Sequence, residues 1–424
     1  MIWLYRVLVA LLMPVAILVL KIRDRLAGKS RPSFSERFTR DLPELPPGGL
    51  WLHAVSVGEV EIARRLVREL EAMDSNFPIL VTATTATGLD LARRTLGDAV
   101  SVIPCPLDLP GAVGRVFDAA KPQALVVVET ELWPEMLHQA WRREVPTAVV
   151  NARLSDSSFR NYRRVRLLLE PLLRPLSLVL ARSDSDADRF ASLGVASSTI
   201  RVSGNIKYDL EPDPTPLSWT EAVQAAAGGR PIVIAGSTME GEEATVLDAV
   251  ARLSAEGRPV FLILAPRHPE RFDTVADLVT GRGLAMIRRS TDDQPTSATS
   301  VFLLDTIGEL ARAYRSAAVA FIGGSLAPTG GHNPLEPAVW GVSVLSGPHV
   351  HNFEEVYGEM TAAGAACLVA DGDELVAALA HWLDHPVEAG AAGVAGRRVV
   401  ETNRGATALT AAALLELVGE VPRS

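Results

Sequence analysis

The segment Leu50–Leu70, LWLHAVSVGEVEIARRLVREL, decides the fold. Leu50–Val55 is an apolar run too short for a helix, as expected of a strand buried on both faces. From Glu61 to Leu70 the apolar spacing changes to that of a helix. Between the two, Gly58 lets the backbone turn tightly, and Glu59 falls at the helix start, on the carboxyl edge of a sheet.

The same alternation continues along the chain. Further strands are expected at Ile79–Ala83, Leu125–Val128, Ala148–Val150, Leu178–Ala181 and Ile200–Ser203. After Glu211–Ser218, EPDPTPLS, whose three prolines read as a linker, strands resume. They are Ile232–Ala235, Val260–Leu264, Val301–Leu304, Val319–Ile322, Val342–Leu345 and Ala366–Val369, with helices such as Glu242–Ser254 and Asp373–Leu383 between them. Strand–helix alternation on both sides of a linker implies an α/β protein with two doubly wound, Rossmann-like halves. The expected divisions are a membrane anchor at 1–22, an N-terminal domain at 23–210, a linker at 211–230 and a C-terminal domain at 231–424. The last helix is a candidate to pack back on the N-terminal domain. Ligands of such sheets bind beyond the carboxyl ends of the strands, so the residues just after strands carry the functional reading.

The composition agrees. The chain has 424 residues, 48% of them hydrophobic and 21% charged, which excludes a disordered scaffold. Two cysteines, Cys105 and Cys367, cannot build a disulfide framework or a thiolate zinc site alone. A formal net charge of −9 argues against a nucleic-acid-binding surface. Residues 1–20, MIWLYRVLVALLMPVAILVL, are apolar except for Arg6 and reach the ~20 residues that a spanning helix needs. Lys21, Arg23, Arg25, Lys29 and Arg31 follow, which places the rest of the chain on the cytoplasmic side and argues against a cleaved signal peptide. An interfacial helix, favoured by Arg6 and Pro14, is the competing reading.

Several common motifs are missing: G-x-G-x-x-G after a strand, H-E-x-x-H and G-x-S-x-G. Gly28-Lys29-Ser30 resembles the end of a P-loop, but Arg23 stands where the first glycine belongs. Asp184-Ser-Asp186 mimics a metal clamp and reads instead as helix capping. What remains clusters at strand ends. Glu59 is a candidate acid–base group, although a first-turn glutamate also complements the helix dipole. Glu129 and Glu131 project to one side after an apolar strand, and Lys207 ends Gly204-Asn205-Ile206-Lys207. In the second half, Ser237-Thr238, Arg267-His268, Gly308-Glu309-Leu310 and Gly330-Gly331-His332-Asn333-Pro334-Leu335-Glu336 each follow a strand. Exposed amides at helix starts and an arginine suit a phosphate.

These residues resemble a known family. HAVSVGE, TATTATG, VETELWP, NARLS, GNIK, STMEGEE, PRHPER, DTIGEL and GGSLAPTGGHNPLEP, between His53 and Phe353, occur in the order found in 3-deoxy-D-manno-octulosonic acid (Kdo) transferases. The resemblance implies a GT-B glycosyltransferase, two Rossmann-like domains facing a cleft behind an N-terminal membrane-anchoring helix. It implies CMP-Kdo as donor, a lipid A precursor as acceptor, and work at the cytoplasmic face of the inner membrane in lipopolysaccharide biosynthesis. No metal or other cofactor and no obligate protein partner are implied; the remaining partner is inner-membrane lipid. Glu59 matches the family's catalytic base, and Glu129 and Lys207 match positions that stabilise the transition state. Arg267, His268, Gly308, Glu309, Leu310, Asn333, Pro334, Leu335 and Glu336 match its CMP-binding segments. Ser237, Thr238, Gly331 and His332 are further candidate donor contacts. Met239 departs from the pattern, which usually has histidine there, and the loop Ile103–Asp108 is also looser than its counterpart. A single general base without a covalent nucleophile implies inversion. The competing readings are another membrane-associated GT-B enzyme using a different nucleotide sugar and a non-catalytic two-lobed solute-binding protein.

Overall fold

A computed structural model of the protein describes residues 2–13, 34–73, 77–97, 100–291 and 293–419. The second part of the expected anchor, the basic run from Lys21 to Arg31 and Gly28-Lys29-Ser30 lie outside the described residues. Among the described residues, fourteen strands form two seven-stranded sheets, each entirely parallel.

The first sheet contains β1 (Leu50–Ala54), β2 (Ile79–Ala83), β3 (Val100–Pro104), β4 (Ala124–Val128), β5 (Thr147–Ala152), β6 (Leu178–Ala181) and β7 (Ile200–Val202). Their order is β3-β2-β1-β4-β5-β6-β7. Side chains alternate across the sheet, as the period of two requires. Leu50, Leu52 and Ala54 enter one core with Leu66 and Leu70 of the Val57–Met73 helix, while Trp51 enters the other with Phe117. The second sheet contains β8 (Ile232–Thr238), β9 (Phe261–Pro266), β10 (Met286–Arg288), β11 (Val301–Leu303), β12 (Val319–Ile322), β13 (Ser343–Ser346) and β14 (Ala366–Leu368). Their order is β10-β11-β9-β8-β12-β13-β14.

In both sheets the strand order reverses beside the first strand, between β1 and β4 and between β8 and β12. Glu59 and Glu129 follow the strands flanking the first switch point; at the second, Ser237 lies in the last residues of β8 and Gly323 follows β12. The backbones approach closely at the second. A Cβ on Gly323 would lie 2.5 Å from the Ser237 carbonyl oxygen, and one on Gly236 would lie 1.9 Å from the Tyr314 hydroxyl. Only glycine fits.

Two expectations need correction, the strand count and the linker. The sequence pattern missed β3 and β10, which are edge strands, short and not fully buried, and so lack a continuous apolar run. The expected linker 211–230 contains the Thr220–Ala227 helix, which buries Val223, Ala226 and Ala227 and ends at the left-handed Gly228. That stretch belongs to the second unit, which runs from Leu210 to Asn403. From Arg404 onward the chain belongs to the first unit, and the Ala406–Gly419 helix packs on the Val57–Met73 helix. Asp209 secures the return by accepting hydrogen bonds from the Gly405 N–H at 2.6 Å and from the Thr407 N–H and hydroxyl at 2.5 Å each.

At the amino terminus, residues 2–13 are helical. The Tyr5 hydroxyl donates to Asp108 Oδ2 at 2.6 Å, and Arg6 binds both oxygens of the buried Glu135 carboxylate at 2.8 and 2.9 Å. Trp3, Leu4, Val7, Leu8, Leu11 and Leu12 are exposed. Among the described residues, no helix is long and apolar enough to cross a membrane.

Asp209→Ala removes a carboxylate that, from a distant segment, accepts from the first N–H groups of the last helix, and should cost about 1–2 kcal/mol of stability. Urea denaturation measures it; an unchanged midpoint and slope would show that the helix is held by packing alone.

Candidate active site

In the first unit, the turn after β1 is built around Glu59. Ser56-Val57-Gly58-Glu59 is a capping arrangement at the head of the Val57–Met73 helix. Glu59 Oε2 accepts from the Val55 N–H at 2.7 Å and Oε1 from the Ser56 hydroxyl at 2.8 Å. The second motif, TATTATG, supports this turn. The Thr85 N–H donates to the Val55 carbonyl at 3.1 Å, and a Cβ on Gly88 would stand 3.4 Å from the Ser56 carbonyl carbon. Glu59 is 7% exposed. Burial pushes its carboxyl up to about 7 against those two hydrogen bonds, with Glu129 and Glu131 adding repulsion. The capping and acid–base readings of Glu59 are therefore compatible, because the group that ends the helix is also poised to exchange a proton near neutrality.

Glu129 follows β4 in a left-handed conformation, φ 59°, and its N–H donates to the Val150 carbonyl at 2.9 Å. Its Oε1 is bound by the Arg182 guanidinium and lies 3.8 Å from Lys207 Nζ. Lys207 is held through its backbone. The Asn205 side chain accepts from the Lys207 N–H at 3.1 Å, and Arg65 donates to the Ile206 and Lys207 carbonyls at 2.7 and 3.1 Å. The fold thus brings Glu59, Glu129 and Lys207 to one sheet edge. Glu131 also faces this group: burial and Glu129 raise its carboxyl, and Glu131 in turn helps burial raise the Tyr162 hydroxyl. His53, by contrast, is a core residue. Its Nδ1 is 2.9 Å from the Thr82 hydroxyl, and burial lowers its pKa to about 3.

In the second unit, the acidic residues of STMEGEE turn inward. Glu242 accepts from the N–H groups of Met239 at 2.8 Å, Gly324 at 2.6 Å, and Ser325 and Leu326 at 2.8 Å each. Met239 contributes to this cradle through its N–H alone, so the departure from histidine leaves that contact intact. Glu243 binds Arg271 at 2.6 and 3.0 Å and accepts from the Thr238 hydroxyl at 2.9 Å. Thr238, expected as a donor contact, is fully buried beneath the loop. Ser237 is left-handed, φ 55°, and half-buried at the end of β8.

The loop before Leu335 folds on itself: the Gly331 N–H donates to the Gly324 carbonyl at 2.6 Å and the His332 N–H to the Gly323 carbonyl at 3.2 Å. Burial, then Arg267 and His268, lower His332 to about 4, which places three cationic or potentially cationic groups within electrostatic reach of one another. The Asn333 side chain accepts from the Leu335 N–H at 3.1 Å, and Pro334 precedes the Leu335–Ala338 helix, with Glu336 in its first turn. Gly308 is left-handed at φ 91°. The Glu309 carboxylate accepts from the Trp219 indole at 3.3 Å and is paired with Arg289 at 3.1 Å, so it braces the loop. Leu310 and Tyr314 both close on Gly236, and Glu336 acts on the Tyr314 hydroxyl. The segments from 237, 308 and 333 therefore meet at the carboxyl end of β8.

Sequence reasoning passed over Arg182, Asn151, Arg65, Tyr162 and Glu242. Arg182 directly follows β6, the same class of position as Glu129, which follows β4. Asp186 is a structural residue, accepting from the Leu154 N–H at 2.9 Å and the Ser183 hydroxyl at 3.1 Å. Among the described residues, no cluster of three or more His, Cys, Asp or Glu is arranged to hold a metal ion.

Comparison with known proteins agrees with the geometry. Residues 32–210 match the family described as 3-deoxy-D-manno-octulosonic-acid transferase (kdotransferase). The 3-deoxy-D-manno-octulosonic acid transferase of Haemophilus influenzae is 38% identical over 363 residues, 85% of each chain. That of Bordetella pertussis is 36% identical over 380 residues, 87% of each chain. Among solved structures, a UDP-GlcNAc 2-epimerase from Neisseria meningitidis bound to UDP-GlcNAc matches with a TM-score of 0.58 at 12% identity, covering 87% of this chain and 100% of that one. That likeness concerns the fold alone. Identity above one third over most of both chains, with a family match spanning the sheet that carries Glu59, Glu129 and Lys207, shows that this chain belongs to the 3-deoxy-D-manno-octulosonic acid transferase family.

Proposed function

We propose that the protein is an inverting GT-B glycosyltransferase that moves Kdo from CMP-Kdo to a lipid A precursor and releases CMP. The observation that carries this reading is the placing, in a chain of this family, of the buried Glu59 carboxyl at a switch point, within electrostatic reach of Glu129, whose carboxylate lies 3.8 Å from Lys207 Nζ. In the proposed step, Glu59 takes the proton of an acceptor sugar hydroxyl as its oxygen attacks the anomeric carbon. The bond from that carbon to the CMP phosphate oxygen breaks, and its electron pair leaves with the phosphate. CMP leaves as a stable anion, so the donor side needs opposing charge and dipole more than an acid. Arg267 and His268 are assigned that role, with Gly308–Leu310 and Asn333–Glu336 completing the CMP segments; the Gly331 and His332 N–H groups are taken by the Gly324 and Gly323 carbonyls and shape the loop instead. Lys207 is assigned to the charge developing on Kdo, and Glu129 to orienting the lysine and the acceptor. The proposal needs no metal or other cofactor.

We further propose that the protein works at the cytoplasmic face of the inner membrane, with the amino-terminal helix lying on the bilayer. The polar contacts of Tyr5 and Arg6 with Asp108 and Glu135 support this arrangement, as does the exposed row of Trp3, Leu4, Val7, Leu8, Leu11 and Leu12. Polar groups face protein and apolar ones are left for lipid, the pattern of an interfacial helix.

Glu59→Gln keeps the shape but cannot accept a proton, so turnover should fall about 10²–10⁴-fold with CMP binding retained. In the wild-type protein the base works when deprotonated; kcat/KM for the acceptor should therefore fall as pH drops through about 7. Near-normal turnover of a folded Glu59→Gln protein would reduce Glu59 to a helix cap.

Arg267→Ala should weaken CMP binding roughly 10–150-fold, the equivalent of ~1.5–3 kcal/mol for a charge-assisted contact. Calorimetry with CMP, and with UDP as the competing nucleotide, tests both the residue and the donor class.

Replacing Leu4, Leu8 and Leu11 together by Ser should reduce binding to inner-membrane-like vesicles by about 100-fold or more, while activity on detergent-dispersed acceptor persists. Unchanged sedimentation with vesicles would remove the helix from the membrane contact.

A further inference from the structure

Arg182 follows β6, and its side chain is only 2% exposed. A guanidinium at that depth is costly unless its charge and its N–H groups are matched. Two partners on different strands help meet that need: Arg182 binds Glu129 Oε1 beyond β4 and donates from Nε to the Asn151 carbonyl at the end of β5, at 3.2 Å. Both partners have left-handed backbones, φ 59° for Glu129 and φ 51° for Asn151, a conformation that costs a residue with a Cβ and persists where surrounding contacts enforce it. The β5–β6 register shifts at this point, between Val149 and Ala152. Asn151 extends the connection, since its Oδ1 accepts from the Ile206 N–H at 2.9 Å, next to Lys207. Lys207 Nζ in turn lies 3.8 Å from the same Glu129 oxygen that Arg182 binds.

We infer that Arg182 is a positioning residue for the transfer reaction: its fork ties the ends of β4 and β5 together and sets where the Glu129 carboxylate and the Lys207 ammonium stand. The inference rests on the proposed participation of Glu129. A planar guanidinium can engage a carboxylate and a carbonyl at once in a fixed geometry, whereas an ammonium is a point charge on a flexible stem. Arg182→Lys therefore keeps the charge and loses the geometry, which distinguishes positioning from simple neutralisation.

The test is a double-mutant cycle with Glu129→Gln, read as kcat and KM for CMP-Kdo together with calorimetric CMP affinity. Arg182→Lys should lower kcat at least about 10-fold, with CMP affinity within about twofold of the wild type. In the Glu129→Gln background the same change should cost less than about twofold, because the group it positions is already altered. Equal losses in both backgrounds would overturn the inference while leaving the role of Glu129 standing. Wild-type turnover in Glu129→Gln alone would instead remove Glu129 from the reaction, and Arg182 with it. Arg182→Gln, which retains a donor for the Asn151 carbonyl, serves as the second variant. If neither protein folds, Arg182 is a core residue and the inference fails.

Discussion

A buried carboxylate that accepts backbone N–H sits at the head of the helix that follows the first strand of each sheet, and the loops around it depend on it. In the first unit Glu59 binds the Val55 N–H and the Ser56 hydroxyl; in the second, Glu242 gathers four N–H groups from two segments. The positions correspond, each following the strand at which the order of its sheet reverses. Their surroundings differ. Glu242 is consumed in shaping the glycine-rich loop, whereas Glu59 receives a single N–H and one hydroxyl, too little to offset burial, and its carboxyl stays raised to about 7.

That pairing explains what the sequence could and could not disclose. Twelve strands were legible because a strand buried on both faces is apolar at successive positions, as in Leu125–Val128. The helices read as Glu242–Ser254 and Asp373–Leu383 were legible from their period, and they extend over Glu242–Ala255 and Gly372–Asp384. The edge strands β3 and β10 and the short Thr220–Ala227 helix were not legible, since each is too brief or too exposed to imprint a pattern. For the candidate site, the rule that function follows strand ends located Glu59, Glu129, Lys207 and the loops of the second unit. It did not separate groups aimed outward from those turned in to brace a loop. Thr238 and Glu309 look alike with Ser237 and Gly308 in the sequence, and only their partners Glu243, Trp219 and Arg289 distinguish them.

Arginine performs much of this bracing. Arg182 joins two strand ends, Arg65 holds the Lys207 loop by its carbonyls, Arg271 fixes Glu243, and Arg6 reaches Glu135. Arg182, Arg271 and Arg6 each use two nitrogens of the planar fork to satisfy oxygens in a fixed relation, a task that a flexible lysine performs poorly, while Arg65 serves both carbonyls from Nη1. Lys207 has a different setting: its Nζ lies 3.8 Å from the Glu129 carboxylate.

The return of the chain at Arg404 has a consequence for how the protein is made. The second unit, Leu210–Asn403, is an insertion within the first, whose core includes Ala411 and Leu414 beside Leu66 and Leu70. A ribosome delivers the whole insertion before it delivers the helix that completes that core. At ~5–20 residues per second the delay is roughly 10–40 s. The inserted unit, whose sequence is continuous, has its last residue synthesised first, while the earlier-synthesised sheet waits with one face of the Val57–Met73 helix uncovered. Order of synthesis and order of completion are therefore reversed, and the nascent protein exposes that apolar face for the whole interval.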